Sequence, residues 1–453
     1  MERETTRLEA QDISALVKRL AAESCDVAHV GIFDLNATFR ERRVRVADLT
    51  GVFGTGGSFV NVVHQWDTGE QVFGAGPFVG EPVAIDPGSL RPYPFEPNAC
   101  ALVADYVGPS ADTSPRRLLE RLVAKAHDRG FGVRAAFEFE FLALDDDAES
   151  LRESGFQTLN MFAKDNRCWA GESAAICAEL VAELEQTLVR GDIDILALGL
   201  ELGPGCFEAT LGHTDPLRAA DNAAFFKLFT KAFFRRKGKT ASFMAQLGGD
   251  SPGLSGHIHL SLIDRETGKD LFPDPADDKG MSQLFRSFVA GLVVLAPEAM
   301  PLTHHTANSY RRHAPQNWAP KSASWAVQNY AAAVRVVPEP AERCRLEYRL
   351  PGSDINPFLA LAFVLGAGLW GLDADAELPP ELTGGGPGLR VPGGAALPHD
   401  LFEAIDRLAR SERAPEIWGE TFVQYLVEVC RHEEAALRRE TSAAERARYL
   451  EVV

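Results

Sequence analysis

The sequence is short of several things, and each shortage removes a class of protein. It has no apolar run long enough to cross a bilayer: the two best, around Val289 to Ala296 and Ala360 to Gly371, fall well below the roughly 20 residues a spanning helix needs. It has no excess of positive charge. Its formal net charge is -18, so a nucleic-acid surface, which needs a basic stripe to neutralise phosphates, is not expected. Its seven cysteines, Cys25, Cys100, Cys168, Cys177, Cys206, Cys344 and Cys430, lack the close pairing of zinc sites and the density of a secreted scaffold, which points to a reducing cytoplasm. The opening Met-Glu-Arg-Glu segment is charged and has no apolar core, so no secretory leader is expected. The glycines from Gly51 to Gly57, and Gly74 and Gly76, are not followed by Gly-Lys-Ser/Thr. They read as flexible loops rather than a phosphate-cradling P-loop.

What is present suits a globular protein: 453 residues, 45% hydrophobic and 24% charged, enough for two or three domains. Residues 11 to 24 carry an amphipathic helical pattern, and Val27 to Phe33 and Phe39 to Val46 read as strands around a turn at Leu35-Asn36-Ala37. A proline-rich passage, Arg91 to Pro97, leads to a further strand near Ala101 to Tyr106. Ser114-Pro115 then opens a helix closed by Gly130, with a capping residue and a first-turn proline. The domain boundary is placed just before it, giving units 1–110 and 111–453. Helices are predicted near 172 to 190, 216 to 237 and 280 to 296. An exposed loop is expected from Pro379 to Pro398, followed by a helical stretch from 400 to 440.

The most informative pattern is a set of four short segments with polar, metal-competent side chains at strand spacing. They are Phe137-Glu138-Phe139-Glu140-Phe141, Glu201 to Glu208, His257-Ile258-His259 and Arg345-Leu346-Glu347-Tyr348-Arg349. Because strand side chains alternate, Glu138 and Glu140 share one face and the phenylalanines the other; His257 groups with His259, and Arg345 with Glu347 and Arg349. On one sheet, these would gather five carboxylates, two imidazoles and two guanidiniums. That much charge calls for divalent cations and an anionic ligand, the chemistry of phosphoryl transfer. Each segment alone has a plainer reading: an exposed strand edge, a solvated Gly-Pro-Gly turn, two satisfied histidines.

The segment Asn308-Ser-Tyr-Arg-Arg312-His-Ala-Pro-Gln-Asn-Trp318-Ala-Pro320, with Ser324-Trp325, Arg335, Arg345 to Pro351 and Asn356-Pro357-Phe-Leu-Ala-Leu-Ala362, resembles the glutamine synthetase family in motif order from about Phe131 to Gly371. The resemblance implies an α+β protein: an N-terminal β-grasp domain and a catalytic domain with a curved antiparallel sheet. It implies one metal position at Glu140, Glu201 and Glu208, and a second at Glu138, His257 and Glu347, suited to Mg2+ or Mn2+. It further implies that Arg312 and Arg349 bind the carboxylates of glutamate, with Gly253 on the loop beside its amino group. His259, Ser261, Arg335 and Arg345 would contact ATP. Asp67 would help deprotonate the nucleophile, reaching the amine pocket of a neighbouring subunit in a ring, commonly of two stacked hexamers. An ordinary turn residue is the plainer reading of Asp67.

Departures from the family pattern refine the expected substrate. Trp318 stands where ammonia-using members carry a glutamate, which removes charge and adds an aromatic wall. The similarity is therefore to the amine-using branch, the γ-glutamylpolyamine and γ-glutamylmonoamine synthetases. The activity expected is an ATP-dependent glutamate–amine ligation through a γ-glutamyl phosphate. Small molecules are the expected partners, with no nucleic acid and no membrane. Tyr330 replaces an arginine that steadies the transferring phosphoryl group, with Arg311 as a candidate substitute. Pro252 and Cys206 replace an asparagine and a glutamine. Two alternatives are a non-catalytic oligomer that has kept the fold and a true, ammonia-using glutamine synthetase.

Overall fold

A computed structural model describes residues 10–54, 57–248, 251–385, 395–439 and 448. The N-terminal sheet is built from β1 (Val27–Phe33), β2 (Phe39–Arg45), β3 (Ser58–Val60), β4 (Gly80–Ile85), β5 (Arg91–Pro92) and β6 (Ala99–Tyr106). Its order is β2-β1-β6-β4-β3, with β5 also paired to β6. β1 and β6 run parallel at its centre and are buried along their whole length, as their near-continuous apolar sequences require. The helix Ala10–Ala22 packs Ile13, Leu16 and Leu20 into the core of this sheet. The glycine-rich stretch is not all loop, because Leu49–Phe53 forms a short helix with Leu49 and Phe53 buried; Thr55 and Gly56 lie outside the described residues.

The larger sheet comprises β7 (Phe131–Leu144), β8 (Ile195–Leu200), β9 (Cys206–Leu211), β10 (Thr240–Ser242) and β11 (Gly256–Asp264). Past a two-residue strand β12 (Ser322–Ala323), it is completed by β13 (Trp325–Val327), β14 (Val334–Val337) and β15 (Arg345–Tyr348). Its order is β13-β14-β15-β11-β7-β9-β8, with β10 on β7; all pairs are antiparallel except β13 with β14. β12 pairs with β16 (Ala395–Ala396), so part of the expected 379–398 loop is anchored by a strand; residues 386–394 of it lie outside the described residues.

One face of this sheet is greasy and the other is charged. Phe137, Phe139 and Phe141 are fully buried, with Phe139 stacking on Phe226 and Phe141 meeting Phe234 edge-on, both on the helix Pro216–Arg236 at ring separations of 5.9 Å. Burying such a side chain contributes roughly 1.5–3 kcal/mol, which fixes β7 in a single register and forces Glu138 and Glu140 to the opposite face. The helix Pro357–Asp373 lies behind, buried on nearly every side. It is started by Asn356, whose Oδ1 accepts from the backbone of Phe358 and Leu359, with Pro357 at the first position. The Asn356 amide also donates to the carbonyls of Asp34 and Leu35, tying the β1–β2 turn to the larger sheet's layer. Buried Arg116 adds a second tie by bridging Asp86 and Asp221.

The expected helices are found at Pro115–Asp128, Gly171–Arg190, Pro216–Arg236 and Gln283–Leu295, and the C-terminal stretch divides into Leu401–Ala409, Arg413–Trp418 and Glu420–Arg438. Among the described residues, no helix is long and apolar enough to cross a membrane.

Candidate active site

The strand order sets the charged side chains in rows. Moving across the sheet from β14 to β8, the polar face presents Arg335, then Arg345 and Glu347, then His257, His259 and Ser261, then Glu138 and Glu140, then Glu208, with Glu201 just beyond the end of β8. Register places Glu347 opposite both Arg335 and His259, His257 opposite Glu138, and Glu140 opposite Glu208. Residues separated by more than two hundred positions in the chain become neighbours because three of the strands are antiparallel partners of one another.

One flank is internally neutralised. Glu347 is almost fully buried and is held by three groups: Arg335 Nη1 donates to Oε2 at 2.8 Å, Arg349 Nη1 donates to Oε1, and His257 Nδ1 lies 3.3 Å from Oε1. Burial alone would raise its pKa, yet the contacts with His257 and Arg349 hold it down at about 2. Glu138 accepts from His257 at 3.2 Å; burial opposes ionisation there too, but the bond from His257 and the nearby ring of His259 keep it well below the usual carboxylate range. His257 is pushed down to about 4 by burial and by Arg349.

The other flank is not neutralised. Glu208 is pushed up to about 8 by burial and by the carboxylates of Glu138, Glu140 and Glu201. Burial likewise raises Glu140, although Arg312 and a 2.6 Å bond from the Ser255 backbone N–H oppose it. Glu201 follows β8 at a tight turn in which Gly203 and Gly205 have positive φ, and a Cβ at Gly205 would strike the carbonyl of Ala143 at 2.5 Å. The two glycines fold the chain back so that Glu201 and Glu208 share a face.

Glu201 is also covered by a loop that carries no recognisable motif. Cys168 Sγ donates to Oε1 at 3.2 Å and Trp169 Nε1 to Oε2 at 2.5 Å, while Asn166 caps the carbonyls of Glu201 and Gly203. Sequence reasoning missed these three residues, since Asn166-Arg-Cys-Trp169 has neither ligand spacing nor periodicity.

The donor set fits divalent cations. Carboxylate oxygens dominate, as hard ions such as Mg2+ and Mn2+ prefer, and the Nε2 atoms of both His257 and His259 are buried without a hydrogen-bond partner. By distance, the group of three ligand atoms lying within 4.8 Å of one another is Glu138, His259 and Glu347, so His259 enters where the family resemblance puts His257. Tautomer chemistry restores the distinction. His257 Nδ1 faces two carboxylates and must carry the hydrogen, which leaves the Nε2 lone pair free for a cation; His259 Nδ1 accepts from Arg345 Nε at 3.2 Å, so its Nε2 carries the hydrogen and is a donor.

Most of the remaining predicted residues lie around this face. Arg312 is buried, donates to the carbonyls of Arg349 and Leu350, and keeps an unpartnered Nε; burial lowers it to about 10. Gly253 lies against it, and a Cβ there would come within 3.0 Å of Arg312 Cγ and of the Asn317 amide. Asn317 in turn bonds Gln246 and the Arg312 carbonyl, setting the loop on which Trp318 stands half-exposed. Arg311 does not join the rows. It lines a separate cavity of about 570 Å³ with Met244, Leu247, Ala307 and Leu437.

Asp67 lies in the turn region between β3 and β4. It is buried in its own chain, with Oδ1 accepting from the backbone N–H groups of Gly69 and Gln71 and Oδ2 3.3 Å from His432 on the helix Glu420–Arg438. Within its own chain the geometry is that of an Asx-type turn.

A sheet face with acids on one flank and guanidiniums on the other is built to bind divalent cations beside an anionic ligand. The chain belongs to the glutamine synthetase family: residues 112–449 match the family's catalytic domain. It is 29% identical over 462 residues to type-1 glutamine synthetase 2 of Dictyostelium discoideum, covering 99% of this chain and 88% of that protein. It is 28% identical over 439 residues to a glutamate–isopropylamine ligase of a Pseudomonas species, covering 94% and 95%. In fold it matches the solved structure of ligand-free GmaS with a TM-score of 0.84 at 23% identity over 96% of this chain and 99% of that one, and an ADP complex of GmaS with a TM-score of 0.81.

Proposed function

We propose that this protein is an ATP-dependent ligase that joins the γ-carboxylate of glutamate to an organic amine through a γ-glutamyl phosphate. The observation that carries the reading is the row of six cation ligands, Glu140, Glu201 and Glu208 beside Glu138, His257 and Glu347, running straight into Arg335, Arg345 and Arg349 on one sheet face. Divalent cations held there would neutralise the triphosphate and polarise its terminal phosphorus.

In this reading, His259, Ser261 and Arg345 line the nucleotide's place along β11 and β15, and Arg335 faces the phosphates. Arg349 and Arg312 grip the two carboxylates of the amino acid, because a planar guanidinium matches a carboxylate bidentately. Glycine at 253 leaves space against Arg312 for the amino group. The γ-carboxylate oxygen attacks phosphorus and ADP leaves; the amine nitrogen then attacks the acyl carbon and phosphate leaves. Trp318 supplies an apolar wall where a carboxylate would attract ammonium, which supports an alkyl or aryl amine. The ligase acting on isopropylamine among its relatives and the ADP-bound structural neighbour support the same reading.

The finer parts of the proposal are Mg2+ or Mn2+ as the ion, a division near residue 110 between the β-grasp and catalytic domains, a cytoplasmic location and a ring of two hexamers. An interface along the open edge at β8 is supported by the exposed apolar side chains of Leu196 and Leu202. The test is ADP release with Mg2+, glutamate and a panel of amines against ammonium, with products identified by mass. γ-Glutamyl amides formed with amines are expected. Turnover with ammonium alone would make it a glutamine synthetase, and ADP release with none of them would leave the non-catalytic oligomer.

A further inference from the structure

Tyr330 stands where the family resemblance expects a cationic side chain, and the structure shows what the ring does instead. Its face lies 3.9 Å from the Arg335 guanidinium carbon and 5.2 Å from that of Arg349, and its carbonyl accepts from Arg349 Nε at 3.0 Å. The same two guanidiniums meet on Glu347, one on each oxygen. Arg335 is completed by Gln328, whose Oε1 accepts from Nη2 at 2.8 Å. The segment bearing the ring is itself anchored, with Asn329 bonded to the Ala331 N–H and to the Gly384 carbonyl.

We propose that Tyr330 is a positioning residue: the π face of its ring, in place of a third positive charge, holds the guanidiniums of Arg335 and Arg349 in the planes from which they meet the reacting anions. The physical need is specific. Two like charges drawn to one carboxylate repel each other, and in-plane hydrogen bonds leave a guanidinium free to tilt about Nη1. An aromatic face attracts both cations at once and blocks that tilt from above. Arginine at 330 would instead offer neither guanidinium an aromatic face and would add a third positive charge beside them. The proposal rests on the ligase reading for its kinetic consequence and on geometry alone for its structural one.

The experiment compares wild type with Tyr330→Phe, Tyr330→Leu and Tyr330→Arg in Mg2+-dependent ADP release with glutamate and an accepted amine, together with crystal structures of the Phe and Leu variants. Tyr330→Phe keeps the ring and is expected to hold kcat within about threefold. Tyr330→Leu is expected to lose roughly 10–100-fold in kcat with KM for ATP changed by less than about threefold, the signature of an interaction lost in the transition state. Tyr330→Arg is expected to fall below wild type. In the crystal structures the Arg335–Glu347 bond is expected to persist in the Phe variant and to be lost or re-angled in the Leu variant. An unshifted Arg335 in Tyr330→Leu, equal losses in Phe and Leu, or a gain in Tyr330→Arg would overturn the proposal. Wild-type inactivity with every amine would instead overturn the ligase reading, and the two crystal structures would still decide the role of the ring.

Discussion

The two flanks of the charged sheet face have the same kind of carboxylate and opposite electrostatics. Around Glu347, two guanidiniums already supply positive charge, and the acid sits at about 2. Around Glu208, the neighbours are carboxylates, and the acid sits at about 8. One flank is already neutralised by its own arginines when no cation is bound. The other stores repulsion that only protons or a divalent ion relieve. Identity of residue therefore says little about behaviour here. Position relative to β14 and β15, which carry the arginines, decides whether a glutamate is a strong or a weak acid.

The strongest way to break this comparison is Glu347→Ala. It leaves buried Arg349 and partly buried Arg335 without their shared acceptor, so a stability loss of about 3–5 kcal/mol is expected, together with abolition of ATP-dependent ligation. Chemical denaturation and ADP release measure the two, and a variant with full activity would refute the role assigned to Glu347.

Glu208→Gln is the matching change on the other flank and should behave differently. Ligation is expected to fall by about 100-fold or more with a cation ligand lost, as for removal of a group that stabilises transition-state charge. Unfolding stability of the cation-free protein, however, should stay level or rise, since a repelling charge is gone. A destabilisation as large as that of Glu347→Ala would erase the distinction between the flanks.

The same contrast has a pH signature. The pKa of Glu208 is raised on folding, so its contribution favours the folded state below about pH 4.5 and is lost as pH rises toward 8; the cation-free protein should become less stable over that window. Cation uptake must displace a proton there, so affinity for Mg2+ should climb by up to about tenfold per pH unit between pH 6 and 8. Titration calorimetry in two buffers of different ionisation heat detects the released proton, and a pH-independent affinity would contradict the raised acid. The smallest effect is expected at the rim: Trp318→Glu should shift preference from bulky amines toward ammonium by roughly tenfold in kcat/KM while leaving stability within about 0.5 kcal/mol, because the side chain is half-exposed.

How much of this was legible depended on whether a residue's role follows from its own strand. The alternation in Phe137 to Phe141 announces a two-faced strand, and the structure buries the phenylalanines and aligns Glu138 with Glu140. Ser114-Pro115 announces a helix start, and the helix begins there. The loop from Asn166 to Trp169 was invisible, since its grip on Glu201 is made by a tight turn and backbone carbonyls rather than by a pattern. An acid in a turn, such as Asp67, has the same local sequence whether it serves a neighbour's chemistry or caps its own backbone. His257 and His259 were correctly grouped, but which of them offers a lone pair depends on Arg345, eighty-six residues away from His259.

Local pattern by itself pointed to the strands, their two faces and the five acids and two imidazoles worth attention, because side-chain periodicity and capping are properties of a few consecutive residues. Only the tertiary structure decided which glutamate is paired and which is repelled, which histidine nitrogen is free, and that Tyr330 lies flat against two arginines. Those outcomes depend on charges brought within a few ångströms by antiparallel pairing, and electrostatic energy at such distances is set by the neighbours a fold supplies, not by the order of residues along the chain.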